Sequence, residues 1–376
     1  MINSPSLLAV VALCFASQTL QAADPLVFVS SFASGENGAI HALRLSLTTG
    51  QLTPVAKTGQ VENPFFIAIS PNQKYLYSIH ATQFGSKADE QVAAYVMDPK
   101  SGRLTLLNRQ TTRGSASCFL EVDATGKTVL VANYTTGNVL SLPVKGDGSL
   151  GEAVSVYQHA GTSVDPQRQT GPHAHSFIVS PNNQYAYAAD LGLDQILCYK
   201  LDANTAQLTP LNPPDVKTPA GAGPRHLSFH PNGKWLYAIN ELANSVTRFD
   251  FDASSGTLSP GATISTVPAN LDGKSYTADV KITPNGKFLY GTNRGHDSIA
   301  IFQIAADGAL TLVAIEPSLG KGPQNLAITP DGRWLLCANM PGNNVAVFSI
   351  DDATGKLKSA GTPITISSPS CIRLIP

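Results

Sequence analysis

Apolar and polar residues alternate in short runs along this chain, and the same run returns seven times. The clearest copies occupy residues 227–240 (LSFHPNGKWLYAIN), 280–293 (VKITPNGKFLYGTN) and 326–339 (LAITPDGRWLLCAN). Indexed on the residue after the first run, the anchors are Pro71, Ala124, Pro181, Pro231, Pro284, Pro330 and Pro376, spaced by 46–57 residues. An apolar pair sits four and two residues before each anchor: Ile67/Ile69, Leu120/Val122, Phe177/Val179, Leu227/Phe229, Val280/Ile282, Leu326/Ile328 and Ile372/Leu374. A period of two predicts a strand with one packed face. Asn-Gly or Asp-Gly after the anchor predicts a tight turn, and a second apolar strand follows.

A second marker, a turn followed by leucine, also occurs seven times. It ends at Leu52, Leu104, Leu150, Leu208, Leu258, Leu310 and Leu357. Two hairpins per unit make a four-stranded antiparallel blade, and seven blades in a ring make an all-β seven-bladed propeller. The turn–leucine marker comes first along the chain and the anchor comes last. The N-terminal strands therefore complete a blade whose innermost strand is the C-terminal segment 370–375, which removes an open edge. Turn signals every 8 to 12 residues leave no room for long helices.

With strands lettered a to d from the centre outward, the a–b and c–d turns share one face. The b–c and d–a connections share the other. The long segments 83–91, 160–171, 211–221 and 266–274 fall on that second face and are expected to be irregular. Loops above a rigid scaffold are where sites tend to be built. Two positions per unit look across this rim into the central channel. The residues opening strand a are Phe65, Cys118, His175, Arg225, Ala278, Gln324 and Ser370. Those ending strand b are Ala81, Tyr134, Leu191, Glu241, Arg294 and Met340. Most are neutral. His175, Arg225, Glu241 and Arg294 break the pattern, and they come from three consecutive units, so a base, a carboxylate and two guanidiniums converge on one sector. The rival reading is an Arg225–Glu241 ion pair that only locks the rim. The preceding residue of strand b is polar in every copy (His80, Asn133, Asp190, Asn240, Asn293, Asn339), which points to a structural duty at the b–c turn.

Composition narrows the function. Of 376 residues 43% are apolar, 14% are charged and the net charge is -1, which argues against a nucleic-acid binder, since that would need a basic face. Residues 1–22 read as an export leader, with an uncharged apolar run and a small-residue cleavage site, and residues 23–376 as the propeller. No other segment approaches a membrane-spanning length. A periplasmic or secreted monomer is expected. Cys14 leaves with the leader. Cys118, Cys198, Cys337 and Cys371 are expected as buried free thiols, although an exported chain could pair them. No cofactor is expected: no glycine-rich phosphate loop, serine nucleophile elbow or Cys–His pair stands out. His173-Ala-His175 has metal-binding spacing, with Asp190 or His226 as further ligands, but no clear third ligand follows, so no metal is expected.

Several stretches resemble the seven-bladed lactonase family, which includes propeller-type 6-phosphogluconolactonase and the fungal carboxymuconate-lactonizing enzyme. They are Pro172-His-Ala-His-Ser176, Gly223-Pro-Arg-His-Leu227, Asn240-Glu-Leu242, Ala278-Asp-Val280 and Asn293-Arg-Gly-His-Asp-Ser298. The resemblance covers essentially the whole mature chain. It implies a site of one histidine, two arginines and a glutamate, falling on His175, Arg225, Arg294 and Glu241, with His173 beside His175 as a departure. It implies hydrolysis of a sugar or sugar-acid lactone. Such hydrolysis needs a base for water, a positive group for the oxyanion and a proton for the leaving alkoxide. Either His175 or Glu241 serves as base with the other as acid; Glu241 beside Arg225 as base and His175 as acid is one consistent assignment. His173, His226, Asp279 and His296 are expected at the substrate. A cyclase running the reverse ring closure, and a non-catalytic binding propeller with apolar or aromatic rim residues, are the alternatives.

Overall fold

A computed structural model describes residues 24–86 and 88–375, together with Met1. The rest of the expected leader, with Cys14, and the last anchor, Pro376, lie outside the described residues. The strands fall into seven antiparallel sheets of four, one of which gains a short extra edge piece at Ile364–Thr365. The only helical element among the described residues is a 3-10 turn at Gly35–Asn37. In six blades, strands a to d follow chain order. In the first, the order from the centre is Pro369–Ile375, Leu26–Ser31, Ala39–Leu45 and Leu52–Gly59, so the two ends of the chain share a blade as expected. Val27 faces Leu374 and Val29 faces Ile372 across that junction, and all but the partly buried Leu374 are fully buried. Burial falls outward: Tyr185–Asp190, a b strand, is buried at every residue, whereas Leu104–Thr111, a d strand, is fully buried at none.

One segment departs from expectation. Residues 211–221 were expected to be irregular, but strand Gln207–Lys217 runs through most of them. Its pairing with Gln195–Asp202 jumps from Pro210↔Tyr199 to Asp215↔Leu197, so residues 211–214 bulge out and the ladder resumes. The pair Pro213-Pro214 sits in this bulge, where no ladder N–H is needed. The composition therefore disguises a strand. Cys118, Cys198, Cys337 and Cys371 are buried and unpaired, as expected.

The two sequence markers touch each other. The strand-b tyrosine of one blade donates its hydroxyl hydrogen to the glycine carbonyl in the c–d turn of the next. The pairs are Tyr77 to Gly148 (3.1 Å), Tyr187 to Gly256 (2.6 Å), Tyr237 to Gly308 (2.8 Å) and Tyr290 to Gly355 (2.8 Å). Trp334 closes the ring in the same manner, its indole N–H bonding the Leu47 carbonyl of the first blade at 3.1 Å. Gly256 has φ +75°, and a Cβ there would lie 2.4 Å from the Tyr185 ring. Left-handed backbone and ring contact both demand glycine.

Gly256→Ala is therefore expected to cost about 2–4 kcal/mol through backbone strain and ring displacement. Tyr237→Phe, which strands one buried carbonyl, is expected to cost about 1 kcal/mol. Urea unfolding of the two variants checks the order; equal midpoints for Gly256→Ala and the parent would show that these ties do not seat the blades.

Candidate active site

At the upper end of most strand-a segments the a–b ladder skips one residue. The skipped residues include Cys118, His175, Arg225 and Gln324, each the rim position of its unit. A bulged residue gives up its ladder partner and re-aims its side chain. Here the bulge turns those side chains toward the channel mouth, where they help line a cleft of about 330 Å³. Nine rim positions line it: five that open strand a (Phe65, Cys118, His175, Arg225, Gln324) and four that end strand b (Tyr134, Glu241, Arg294, Met340). Ala81, Leu191, Ala278 and Ser370, all buried, do not. A larger cleft of about 470 Å³ between the outer strands of the first and last blades is lined by no ionisable side chain.

The four expected residues meet in this cleft. Glu241 Oε2 accepts from Arg225 Nε at 3.0 Å and from Arg294 Nη2 at 2.7 Å. Its other oxygen accepts from Arg168 Nη2 at 2.7 Å. Three guanidiniums thus surround one carboxylate. Burial alone would raise the Glu241 pKa, but Arg294, Arg225 and Arg168 outweigh it and hold it at about 2. Arg225 is 1% exposed at its side chain; burial and the neighbouring Arg294 lower it to about 10, so it stays charged at neutral pH. His175 is driven well below its ordinary value, first by burial, then by Arg225, His226 and Arg294, and is neutral. Its Nδ1 lies 3.6 Å from Cys118 Sγ, and its ring meets Tyr134 edge-on at 5.5 Å.

His226 and Asp279 stand behind Arg225 and do not line the cleft. Burial would raise the Asp279 carboxyl, but Lys281 and His226 hold it far below the carboxylate range. His226 Nδ1–H therefore donates to Asp279 Oδ1 at 2.8 Å, and Nε2 faces Arg225 Nη1 at 3.2 Å. Burial and Arg225 push His226 down to about 3, so it remains a neutral acceptor. The second oxygen of Asp279 is filled by Asn325 Nδ2 (2.7 Å) and Leu326 N (2.8 Å). The pair, expected at the substrate, thus packs against a buried guanidinium outside the cleft lining, where it can aim Arg225. His173 stacks on Tyr134 at 4.4 Å and its Nδ1 donates to the Tyr134 carbonyl, so it sits beside the cleft. His296 is exposed in the b–c turn, bonded to Ser298 Oγ at 2.7 Å and outside the lining. The recurrent polar residues before the rim serve the turns. Asn133 Nδ2 bonds the Thr112 carbonyl at 2.8 Å and Asn293 Nδ2 the Thr266 carbonyl at 2.9 Å, each tying a crossing loop to its blade. Asp190 is taken by His159 at 2.7 Å. No group of three or more His, Cys, Asp or Glu able to hold a metal ion occurs among the described residues.

Four cleft residues were not singled out by the rim positions: Arg168, Phe84, Phe32 and Ala116, the last of which directly precedes strand Ser117–Val122. Arg168 belongs to segment 160–171, whose length marked it, but no strand position points to one residue within it. The loop is fixed by Asp165, whose Oδ1 accepts the Gln167 and Arg168 amides, and by the buried Gln169 bonding the Leu191 carbonyl at 2.9 Å. Phe84 sits in another long connection, the b–c loop between Tyr75–His80 and Gln91–Met97. Phe32 was discoverable: Ser31 pairs with Pro369 as Asn240 pairs with Pro224, so Phe32 is the seventh copy of the strand-b position.

The chain matches a family described as "Lactonase, 7-bladed beta-propeller" over residues 26–374. It is 33% identical over 357 residues to a protein of Bacillus subtilis named 6-phosphogluconolactonase, covering 93% of this chain and 97% of that one. A Formosa agariphila protein of the same name is 34% identical over 354 residues, covering 93% and 99%. Among solved structures, the Pseudomonas aeruginosa periplasmic gluconolactonase superposes with a TM-score of 0.87 at 31% identity, covering 94% of this chain and 99% of that one.

Removing the shared counter-charge leaves Arg225 buried and uncompensated. Glu241→Gln is expected to lose about 3 kcal/mol of stability, more than Arg294→Gln, whose side chain is 26% exposed. Urea titrations of both variants against the parent measure the difference.

Proposed function

The chain belongs to the seven-bladed β-propeller lactonase family, and from that premise we propose that the cleft around Glu241 opens the ring ester of a small-molecule lactone by general acid–base hydrolysis. The relatives' names support 6-phosphogluconolactone and unphosphorylated gluconolactone as first candidates. The observation that carries the mechanism is a neutral His175 in the same cleft as an arginine-clamped carboxylate.

A carboxylate at about 2, with both oxygens occupied, is a poor base. A neutral imidazole keeps a nitrogen lone pair that can take a proton, which favours His175 over the assignment with Glu241 as base. In this scheme His175 takes a proton from water as the water oxygen bonds to the lactone carbonyl carbon. The carbonyl oxygen becomes an oxyanion facing Arg294 and Arg168, the two guanidiniums with exposed surface. Collapse breaks the bond from carbonyl carbon to ring oxygen, and the His175 imidazolium returns its proton to that oxygen. A depressed pKa makes the imidazolium a strong acid toward the alkoxide. Glu241 keeps three guanidiniums in place, and the His226–Asp279 pair aims Arg225. The expected leader and the periplasmic name of the Pseudomonas relative support a periplasmic location.

A pH-stat panel of gluconolactone, 6-phosphogluconolactone and muconolactone tests the reading. His175→Asn and Arg294→Gln are each expected to lose about 100-fold or more in turnover. The active form of His175 is the neutral one and its pKa lies well below 6.5. The rate is therefore expected to stay level from pH 8 to 6.5 and to fall only on further acidification. Parent-like rates in both variants, or an ionisation at or above pH 6.5, would overturn the assignment of His175.

A further inference from the structure

The cleft has a second wall of different chemistry. Phe32, Phe65 and Phe84 line it and pack on one another, with ring centroids 5.0 Å (Phe32–Phe65), 4.9 Å (Phe32–Phe84) and 5.2 Å (Phe65–Phe84) apart. Phe32 ends strand b of blade 1, Phe65 opens strand a of blade 2, and Phe84 hangs from the b–c loop of blade 2. The acid–base cluster belongs to blades 4 to 6, centred on Arg225 and Glu241 of blade 5. In a ring of seven, the junction of blades 1 and 2 lies diametrically across from blade 5. The aromatic wall therefore faces the charged one over the channel mouth.

This wall is built rather than incidental. The Phe84 loop is pinned by Glu90, a buried carboxylate that accepts the Gly85 amide at 2.8 Å. The same carboxylate accepts the Ala116 and Ser117 amides of blade 3 at 3.0 and 2.7 Å. Three phenyl rings offer no hydrogen-bond donor or acceptor. Sugar hydroxyls turned toward them would lose water and gain no partner. An alkyl or aryl group would gain contact area.

We infer that the Phe32–Phe65–Phe84 wall is a subsite for an apolar substituent, so that the preferred substrate is a lactone with an alkyl or aryl side chain opposite its ring ester. The inference rests on the lactonase reading of the cleft for its turnover test only, since the subsite can also be probed by binding. The first series is γ-lactones with 4-alkyl chains from methyl to hexyl, assayed by pH-stat beside gluconolactone. The second is the matching ring-opened 4-hydroxyalkanoates, titrated by calorimetry against the parent protein.

Each methylene that reaches the wall is expected to raise kcat/KM, and to lower Kd, about fourfold until the rings are covered. Phe84→Ser is expected to flatten both series, and Phe84→Leu, which keeps an apolar surface, to retain most of the slope. Melting curves of both variants establish that they are folded. A flat binding series in the parent, or gluconolactone opened faster than every alkyl lactone, overturns the subsite while leaving lactone hydrolysis in place. A rising binding series with no lactone opened supports the subsite and overturns the hydrolytic reading instead.

Discussion

Everything in this molecule depends on blades being seated on one another at a fixed angle, and the seat is an aromatic ring resting on a glycine turn. The bond from Tyr237 to the Gly308 carbonyl and its equivalents join the inner hairpin of one blade to the outer turn of the next. Each contact is modest, but it recurs around the ring, and a closed ring leaves no unpaired inner edge to slip. A channel with rigid walls follows. Only a rigid wall lets one extra residue in a strand define a direction, which is how the bulges at His175 and Arg225 deliver their side chains to a common point.

The charged cluster is tolerable in a low-dielectric setting because its polar demands are met. Glu241 is balanced by three guanidiniums, and Arg225 is satisfied by Glu241, His226 and the Ala278 carbonyl. Three positive groups against one carboxylate leave an excess positive charge around a neutral imidazole. That field suits the negative charge that develops when an ester carbonyl is attacked, and it costs no reorganisation at that moment. The same field adds to burial in keeping His175 unprotonated.

Much of this was legible in the sequence, for a physical reason. A repeat separates what the scaffold needs from what it does not, so Asn133, Asn240 and Asn293 read as turn residues while Arg225, Glu241 and Arg294 stood out. The chain-end closure followed from the order of two markers. What escaped lay where the repeat gives no coordinate. Arg168 and Phe84 sit on insertions of irregular length, and residues 211–217 hid a strand behind prolines. Phe32 was missed because counting forward from Pro376 leaves the chain before reaching it. Protonation was illegible too: the choice between His175 and Glu241 turns on burial and on a third arginine that only the fold brings near.

The shared first blade has a consequence for biosynthesis. Ser30 Oγ meets Ser370 Oγ at 2.9 Å across 340 residues of chain. Strand Pro369–Ile375 leaves the ribosome after every other described strand, so the circle cannot shut until that strand has been made. The aromatic side of the cleft hangs on this event, because Phe32 extends from the strand that pairs with Pro369–Ile375. A prematurely terminated product would keep a gap at that blade and lack a finished cleft. The topology thus withholds the assembled pocket from any chain that stops short of this strand.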